Sequence, residues 1–361
     1  MKKFLAACLI FLAAQNAFAV RVLILEKGSR LSVNTTGAIL LTSGGKKYHV
    51  NRDGTFSILS LPGNRLKVGS LELQDPVTIT PLDGAIFTLD GNKYAAPITV
   101  YPGKNTFQIV ENPTLEQYLY GVLPYEMSYS WPAEALKAQA VAARTYVVKS
   151  LERPVNKNFD LYSDIRSQMY KGDGTVYPSV QTAVDATSGK VLKYKGEPFY
   201  AYYHADCGGL GTDPLPWKAP GSDIKPLQGV ADKNCAADAG HNWKASFSQK
   251  AVSAFAGANV KSVSVLQRAP YGHATLLAFK TKKGNVKKSC NDFRMAMGST
   301  KLKSCYITKI SSSGGNFNFE GSGYGHGAGM SQDGAKNMAA AGKNFLDILT
   351  HYYPGAAVTD I

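Results

Sequence analysis

After its first nineteen residues the chain has no long apolar run, so nothing later in its 361 residues reads as a helix spanning a bilayer. It lacks the Gly-Lys-Ser/Thr ending of a phosphate-binding glycine loop, which excludes a P-loop, and it lacks Gly-x-Ser-x-Gly, the marker of a serine hydrolase. No segment repeats and no low-complexity linker divides it. Acidic residues are few: 26 Asp and Glu stand against 40 Lys and Arg, a formal net charge of +14. That excess suits polyanionic partners. Cysteine is scarce as well, with five in all.

The N-terminus reads as a Sec signal peptide over residues 1–19. Lys2 and Lys3 form a positive n-region, Phe4 to Ala14 an apolar stretch, and Ala17-Phe18-Ala19 a small-x-small cleavage site. Leu5-Ala6-Ala7-Cys8 resembles a lipoprotein box but lies too early, because most of the apolar stretch follows Cys8. Cleavage would leave a net charge of about +12 on a protein outside the cytoplasm, where acidic lipids or wall polymers, rather than nucleic acid, are the polyanions at hand. Cys8 would leave too. Cys207, Cys235, Cys290 and Cys305 remain, an even number in an oxidising compartment, which predicts two disulfides. Sequential pairs, Cys207 with Cys235 and Cys290 with Cys305, are expected because each closes a modest Gly/Lys/Asn-rich loop. The rival is a zinc site from His204, Cys207, Cys235 and His241, whose spacings match no common zinc module. No metal and no cofactor is therefore expected.

Residues 20–112 read as a β-rich region. Short apolar runs (Arg21–Leu25, Ala38–Leu41, Val77–Thr80, Ile98–Tyr101, Phe107–Val110) alternate with turns at Ser43-Gly44-Gly45, Arg52-Asp53-Gly54 and Asp90-Gly91-Asn92. A helix is predicted from Ala133 to Leu151, with Pro132 in its first turn behind a Ser130 cap, and with Leu136, Ala140, Ala143 and Val147 forming one apolar face. Further β-prone stretches (Val191–Ala205, Ser262–Lys280, Ile307–Glu320) lead to two terminal helices near Ser331–Ala341 and Asn344–His351, separated by Gly342. The fold class is α+β: a β-rich N-terminal region, then a mixed core over 113–361.

Three segments are rich in groups that do chemistry. In the first, Glu126 stands just ahead of the long helix among Pro124, Tyr125, Met127, Tyr129 and Trp131. Apolar surroundings disfavour a carboxylate and raise its pKa, as a general acid near neutral pH requires, and aromatic rings stack on sugar faces. Glu116 is expected to face outward. The second comprises Ser167-Gln168-Met169-Tyr170-Lys171-Gly172 and Tyr203-His204-Ala205-Asp206-Cys207-Gly208-Gly209, whose Gln, Tyr and His hydrogen-bond hydroxyls and amides. In the third, Gly321 to Ala335, alternating glycines carry His326 on a tight loop, and Ser331 caps the helix behind it.

Together these segments resemble the stage II sporulation protein D family, which includes the amidase enhancer of vegetative cell walls. The resemblance rests on Glu-Gln-Tyr-Leu-Tyr-Gly-Val-Leu-Pro-Tyr-Glu-Met (116–127), Ala-Leu-Lys-Ala-Gln-Ala-Val-Ala-Ala-Arg-Thr-Tyr (135–146), Gly-His-Gly-Ala-Gly-Met-Ser-Gln-Asp-Gly-Ala (325–335) and Tyr352-Tyr353-Pro354-Gly355. It implies a lytic transglycosylase acting on peptidoglycan glycan strands, best on strands stripped of stem peptides by an amidase. The catalytic glutamate then falls on Glu126. Substrate contacts are expected from Tyr125, Gln139, Arg144, Gln168, Tyr170, His204, Gly208, Gly209, His326, Ser331 and Gln332. Zinc-carrying members have His and Cys ligands between the long helix and the Gln-x-Tyr motif; residues 152–168 here contain neither.

A lytic transglycosylase works with one carboxyl group, where glycoside hydrolases use two. Asp160, Asp164 and Asp173 are the acids able to fold near Glu126 and support hydrolysis instead. The competing reading is a binding module that docks on the wall and activates an amidase without cutting.

Overall fold

The structure is a computed structural model describing residues 19–51, 53–74, 76–217, 221–235 and 242–361. Most of the expected signal peptide, Arg52 of one expected turn, and His241 of the zinc alternative lie outside the described residues. Among the described residues no helix is long and apolar enough to cross a membrane. The chain is mixed α and β with a strand-rich N-terminal region, as the sequence implies.

Two sheets make that region, antiparallel except for one edge pairing. One has seven strands in the order Leu161–Tyr162, Val22–Gly28, Thr106–Glu111, Ile98–Gly103, Val77–Pro81, Ile39–Ser43, Lys46–Val50; its first strand enters from beyond the long helix and pairs in parallel. The other has six, ordered Asn92–Tyr94, Phe87–Leu89, Arg30–Thr35, Gly54–Leu61, Arg65–Val68, Leu71–Leu73. Alternation along the strands buries one face, as in Ile39 and Leu41 or Val77 and Ile79.

The helices are α1 (Leu115–Glu126), α2 (Ala133–Leu151), α3 (Pro178–Ala186), α4 (Gln249–Ala256), α5 (Cys290–Met297), α6 (Gln332–Ala340) and α7 (Phe345–Tyr352). Sequence reading missed α1, although its signal is present: Thr114 and Gln117 form a capping box, each side chain bonded to the other's backbone N–H. Pro124 removes one helical N–H and the helix ends two residues later. Glu126 therefore closes a helix rather than preceding one. Ser130 does not cap α2; its hydroxyl bonds Ser128 and Pro132 takes the cap position.

The predicted apolar face of α2, Leu136, Ala140, Ala143 and Val147, is fully buried, but burial is not confined to it. Residues from Ala135 to Ala143 are buried with one exception, because α1, α3, α6, α7 and the strand Lys190–Tyr194 pack around it. Its polar side chains must find partners inside. Arg144, fully buried, forks onto both oxygens of Glu116 at 3.0 and 2.6 Å and donates to the carbonyls of Lys190 and Val184. Glu116 thus turns inward, contrary to the outward placement expected from its neighbours. Thr145 accepts from the Leu192 N–H.

Residues 243–321 build an additional lobe with its own core. Two three-stranded sheets, Trp243–Ser248 with Asn316–Gly321 and Ile307–Ser313, and Val260–Arg268 with Ala274–Thr281 and Gly284–Ser289, enclose Phe247, Phe279, Phe293 and Phe319 together with α4 and α5. The cysteines pair in sequence, Cys207 with Cys235 and Cys290 with Cys305. The second bridge ties the start of α5 to the segment entering the strand at Ile307. Its closed loop spans 15 residues, worth about 3 kcal/mol of unfolded-chain entropy.

Cutting the central ion pair should be costly, since a buried guanidinium would lose both carboxylate bonds. Glu116→Ala is expected to destabilise the fold by about 3 kcal/mol in urea unfolding. A change below about 1 kcal/mol would show that Arg144 is satisfied by its two carbonyls alone.

Candidate functional site

Glu126 reaches the floor of a cleft of about 370 Å³ lined by Tyr146, Ile165, Arg166, Ser167, Gln168, Met169, Tyr202, Tyr203, Trp217 and His326. Three distant stretches of chain meet at its carboxyl group. The Met169 N–H donates to Oε1 at 3.0 Å, and the side chains of Tyr203 and Gln332 also hydrogen-bond it. Each of those partners is itself held. Gln168 donates to the Tyr203 hydroxyl at 2.9 Å and to the Ala143 carbonyl, while Gln332 donates to Gln139 of α2. Burial drives the Glu126 pKa upward, and the three hydrogen bonds offset only part of that rise.

No carboxylate among the described residues acts on Glu126. Asp160 is tied to Arg21, Asp164 to Arg166 at the cleft rim, and Asp173 to the Ala95 N–H. Asp173 belongs instead to a buried cluster with Glu111, whose pKa is raised by burial and then by Asp173.

Pairing places the far wall. Tyr203 and His204 run parallel to Met330 and Ser331, which brings the Gly325–Gly329 loop alongside Tyr202. Gly329 sits at φ +70°, and a Cβ there would strike the Tyr202 carbonyl, so this crossing demands glycine. At Gly327 a Cβ would meet the His273 imidazole, which Asp213 holds through Nδ1 at 2.8 Å. Rings of Tyr202, Trp217 and His326 then meet edge to face at 5.4 to 6.0 Å. The His326 Nδ1 accepts from the Ala328 N–H, and burial, followed by the nearby Arg294 charge, pushes its pKa down to about 3. Its charged form is thus disfavoured, and it stands in the cleft wall. His204, its Nδ1 on the Ala328 carbonyl, is likewise held well below its usual pKa by burial.

Of the residues singled out by sequence, Glu126, Gln168 and His326 line the cleft, with Gln332 and Gln139 behind the carboxyl. The others lie elsewhere. Arg144 holds Glu116 in the interior, and Tyr170 donates to Glu111 at 2.6 Å in a buried site. Ser331 caps α6 by accepting from the Gly334 N–H. Tyr125 is exposed beside Lys171. Gly208 packs under Ser322 and Tyr306, and Gly209 faces open space. Cys207 and Cys235 are joined to each other, so the thiols a zinc cluster would need are already used. Sequence reading missed Tyr146, Tyr202 and Trp217; the aromatic run Tyr200–Tyr203 was the available signal. A larger cavity, about 550 Å³, lies among the N-terminal strands, and Asp53 is the sole acid lining it among the described residues.

Fold and site thus define an α+β protein with an aromatic-walled cleft in which Glu126 is the lining carboxyl among the described residues. A family model described as stage II sporulation protein matches residues 103–194, and one described as a domain of unknown function matches residues 233–329. The chain is 34% identical over 281 residues to an uncharacterized protein of Brachyspira hyodysenteriae, covering 76% of this chain and 74% of that one. It is 32% identical over 302 residues to stage II sporulation protein D of Bacillus amyloliquefaciens (78% and 84% covered), and 30% identical over 290 residues to the amidase enhancer of Bacillus subtilis (67% and 40%). This chain belongs to the stage II sporulation protein D family.

A carboxyl group with a raised pKa keeps its proton in the native state where the unfolded chain has already released it. Native stability therefore falls as pH rises from the ordinary carboxyl value through the raised one. Glu126→Gln lacks this term, so its melting temperature relative to the wild type should climb between about pH 4 and pH 7. A constant difference across that range would mean the carboxyl is not perturbed.

Proposed function

We propose that this chain is a lytic transglycosylase that cleaves the bond between N-acetylmuramic acid and N-acetylglucosamine in peptidoglycan glycan strands. The observation carrying this reading is a solitary carboxyl group, raised in pKa by enclosure and reachable from an aromatic-walled cleft. Protonated Glu126 gives its proton to the glycosidic oxygen as the C1–O bond breaks. The resulting carboxylate takes the proton from the muramyl C6 hydroxyl while that oxygen closes on C1, restoring the acid. The products are a free hydroxyl on the leaving sugar and a 1,6-anhydro ring on the other, with no water consumed. Tyr202, Trp217 and Tyr146 offer apolar faces and edges for sugar rings, and Gln168 and Tyr203 hold the carboxyl in place. An acid-first mechanism needs the protonated form, so turnover should decline as pH climbs through the raised Glu126 value.

Export by an N-terminal signal peptide, to a periplasmic or wall-associated location, would fit a substrate outside the membrane, and the positive charge of about +12 left after its removal would fit anionic wall polymers. A second reading, supported by the likeness to the amidase enhancer of Bacillus subtilis, is a wall-bound activator of an amidase partner.

Glu126→Gln preserves shape but removes the titrating proton, and cleavage of peptide-stripped glycan should drop about a hundredfold or more while strand binding persists. Mass spectrometry separates the chemistries, since an anhydromuramyl end is one water lighter than a reducing end. Reducing ends would replace the lyase with a hydrolase. Wild-type protein that releases no sugar yet stimulates an amidase would favour the activator.

A further inference from the structure

The cleft does not end at His326. A second cavity of about 320 Å³ shares Ile165, Trp217 and His326 with the first and extends it over the 243–321 lobe, where Asn291, Arg294, Met295 and Ser299 line it. Arg294 lies on α5, braced at the helix start by the Cys290–Cys305 bridge. The residue is only 8% exposed, and it lines this cavity. The Nε donates at 3.0 Å to the Lys303 carbonyl, which also accepts the Gly325 N–H, so the arginine and the His326 loop share one anchor. Nη1 meets only the Met295 sulfur, at 3.8 Å, and Nη2 bonds no acceptor among the described residues. No carboxylate among them pairs with this guanidinium.

A nearly buried cation without a counter-ion is costly, and burial lowers its pKa accordingly. Arg144 shows how this fold treats a buried arginine that is purely structural: it receives a carboxylate and two carbonyls. Arg294 instead keeps its outer nitrogens open toward a cavity continuous with the one containing Glu126. A planar guanidinium held by Nε and open at its far edge is shaped to take a carboxylate through two parallel bonds.

We propose that Arg294 anchors a carboxylate of the sugar strand, namely the lactyl carboxylate of a muramoyl residue whose stem peptide has been removed. The assignment rests on the glycan-strand reading above. In a peptide-bearing strand that lactyl carbonyl is a neutral amide; amide hydrolysis replaces it with a charged carboxylate at the same atom. Arg294 therefore discriminates bare from substituted strands at a single position, in a subsite adjoining the one where the bond breaks. The stem peptide's own carboxylates lie several bonds further out and would have to fold back to reach it.

Calorimetric binding with cleavage suppressed by Glu126→Gln tests this on the whole protein. The probes are a short bare glycan oligomer, the same oligomer with its lactyl groups as methyl esters, and the peptide-bearing oligomer. The bare acid should bind about tenfold or more tightly than the ester, as expected for losing a charge-assisted bond, and adding Arg294→Gln should abolish that preference. If the Arg294→Gln protein melts, the acid-against-ester comparison with Arg294 intact still decides. Equal binding of acid and ester overturns the proposal, as does a preference that survives Arg294→Gln. An Arg294-dependent preference for the peptide-bearing oligomer overturns it in favour of a stem-peptide carboxylate. Should wild-type protein fail to cut bare strands while the acid preference still depends on Arg294, the lyase reading falls and the carboxylate subsite stands.

Discussion

Helix α2 is buried along most of its length, and this burial constrains most of what surrounds it. A helix that touches water on one face can leave polar residues there. One packed by four helices and a strand must satisfy each of them internally. Its polar residues accordingly become ties to distant chain. Arg144 draws in Glu116 and so orients α1; Thr145 receives the strand at Leu192; Gln139 meets Gln332 at the start of α6. The orientation of α1 decides where its last residue, Glu126, emerges, and α6 supplies one of that residue's hydrogen bonds. Fold stability and site geometry are thus two readings of the same buried contacts.

The electrostatics of the cleft follow from that arrangement. Glu126 has neutral partners only: a backbone N–H, a phenol and an amide. Neutral donors stabilise a carboxylate less than a cation would, so burial prevails and the protonated form is favoured. The histidines nearby are likewise kept neutral, by burial and by the positive charge of Arg294. The cleft therefore combines a protonatable acid with two arginines, Arg166 in its lining, paired with Asp164, and Arg294 in its extension.

The 243–321 lobe has its own aromatic core and its own bridge, yet it is bound to the site through small, exacting contacts. His273 and Asp213 pack beneath Gly327, and the Lys303 carbonyl holds both Gly325 and Arg294. A lobe attached this way sets the height of the far cleft wall without contributing to the chemistry at the carboxyl group.

Local patterns were sufficient for five strands of the seven-stranded sheet, for α2 and the terminal helices, and for the sequential cysteine pairs, because alternation, helix periodicity and loop closure are short-range properties; none of the strands of the six-stranded sheet was among the runs picked out. The motif around Glu126 also stood out locally, as an acid among aromatics. The partners of each polar group were not legible. Glu116 looked outward-facing beside Leu115 and Tyr118, and only the packing of α1 on α2 makes it the counter-ion of Arg144. Tyr170 and Arg144 looked like ligand contacts, and tertiary burial made them interior ties. Tyr202 and His326 come together in the cleft wall through a parallel strand pairing across more than a hundred residues, a contact that no local pattern encodes. Sequence by itself determined which groups this protein possesses; the fold decided which of them are paired, which are buried, and which face the cleft, since burial and partnership exist only once distant segments meet.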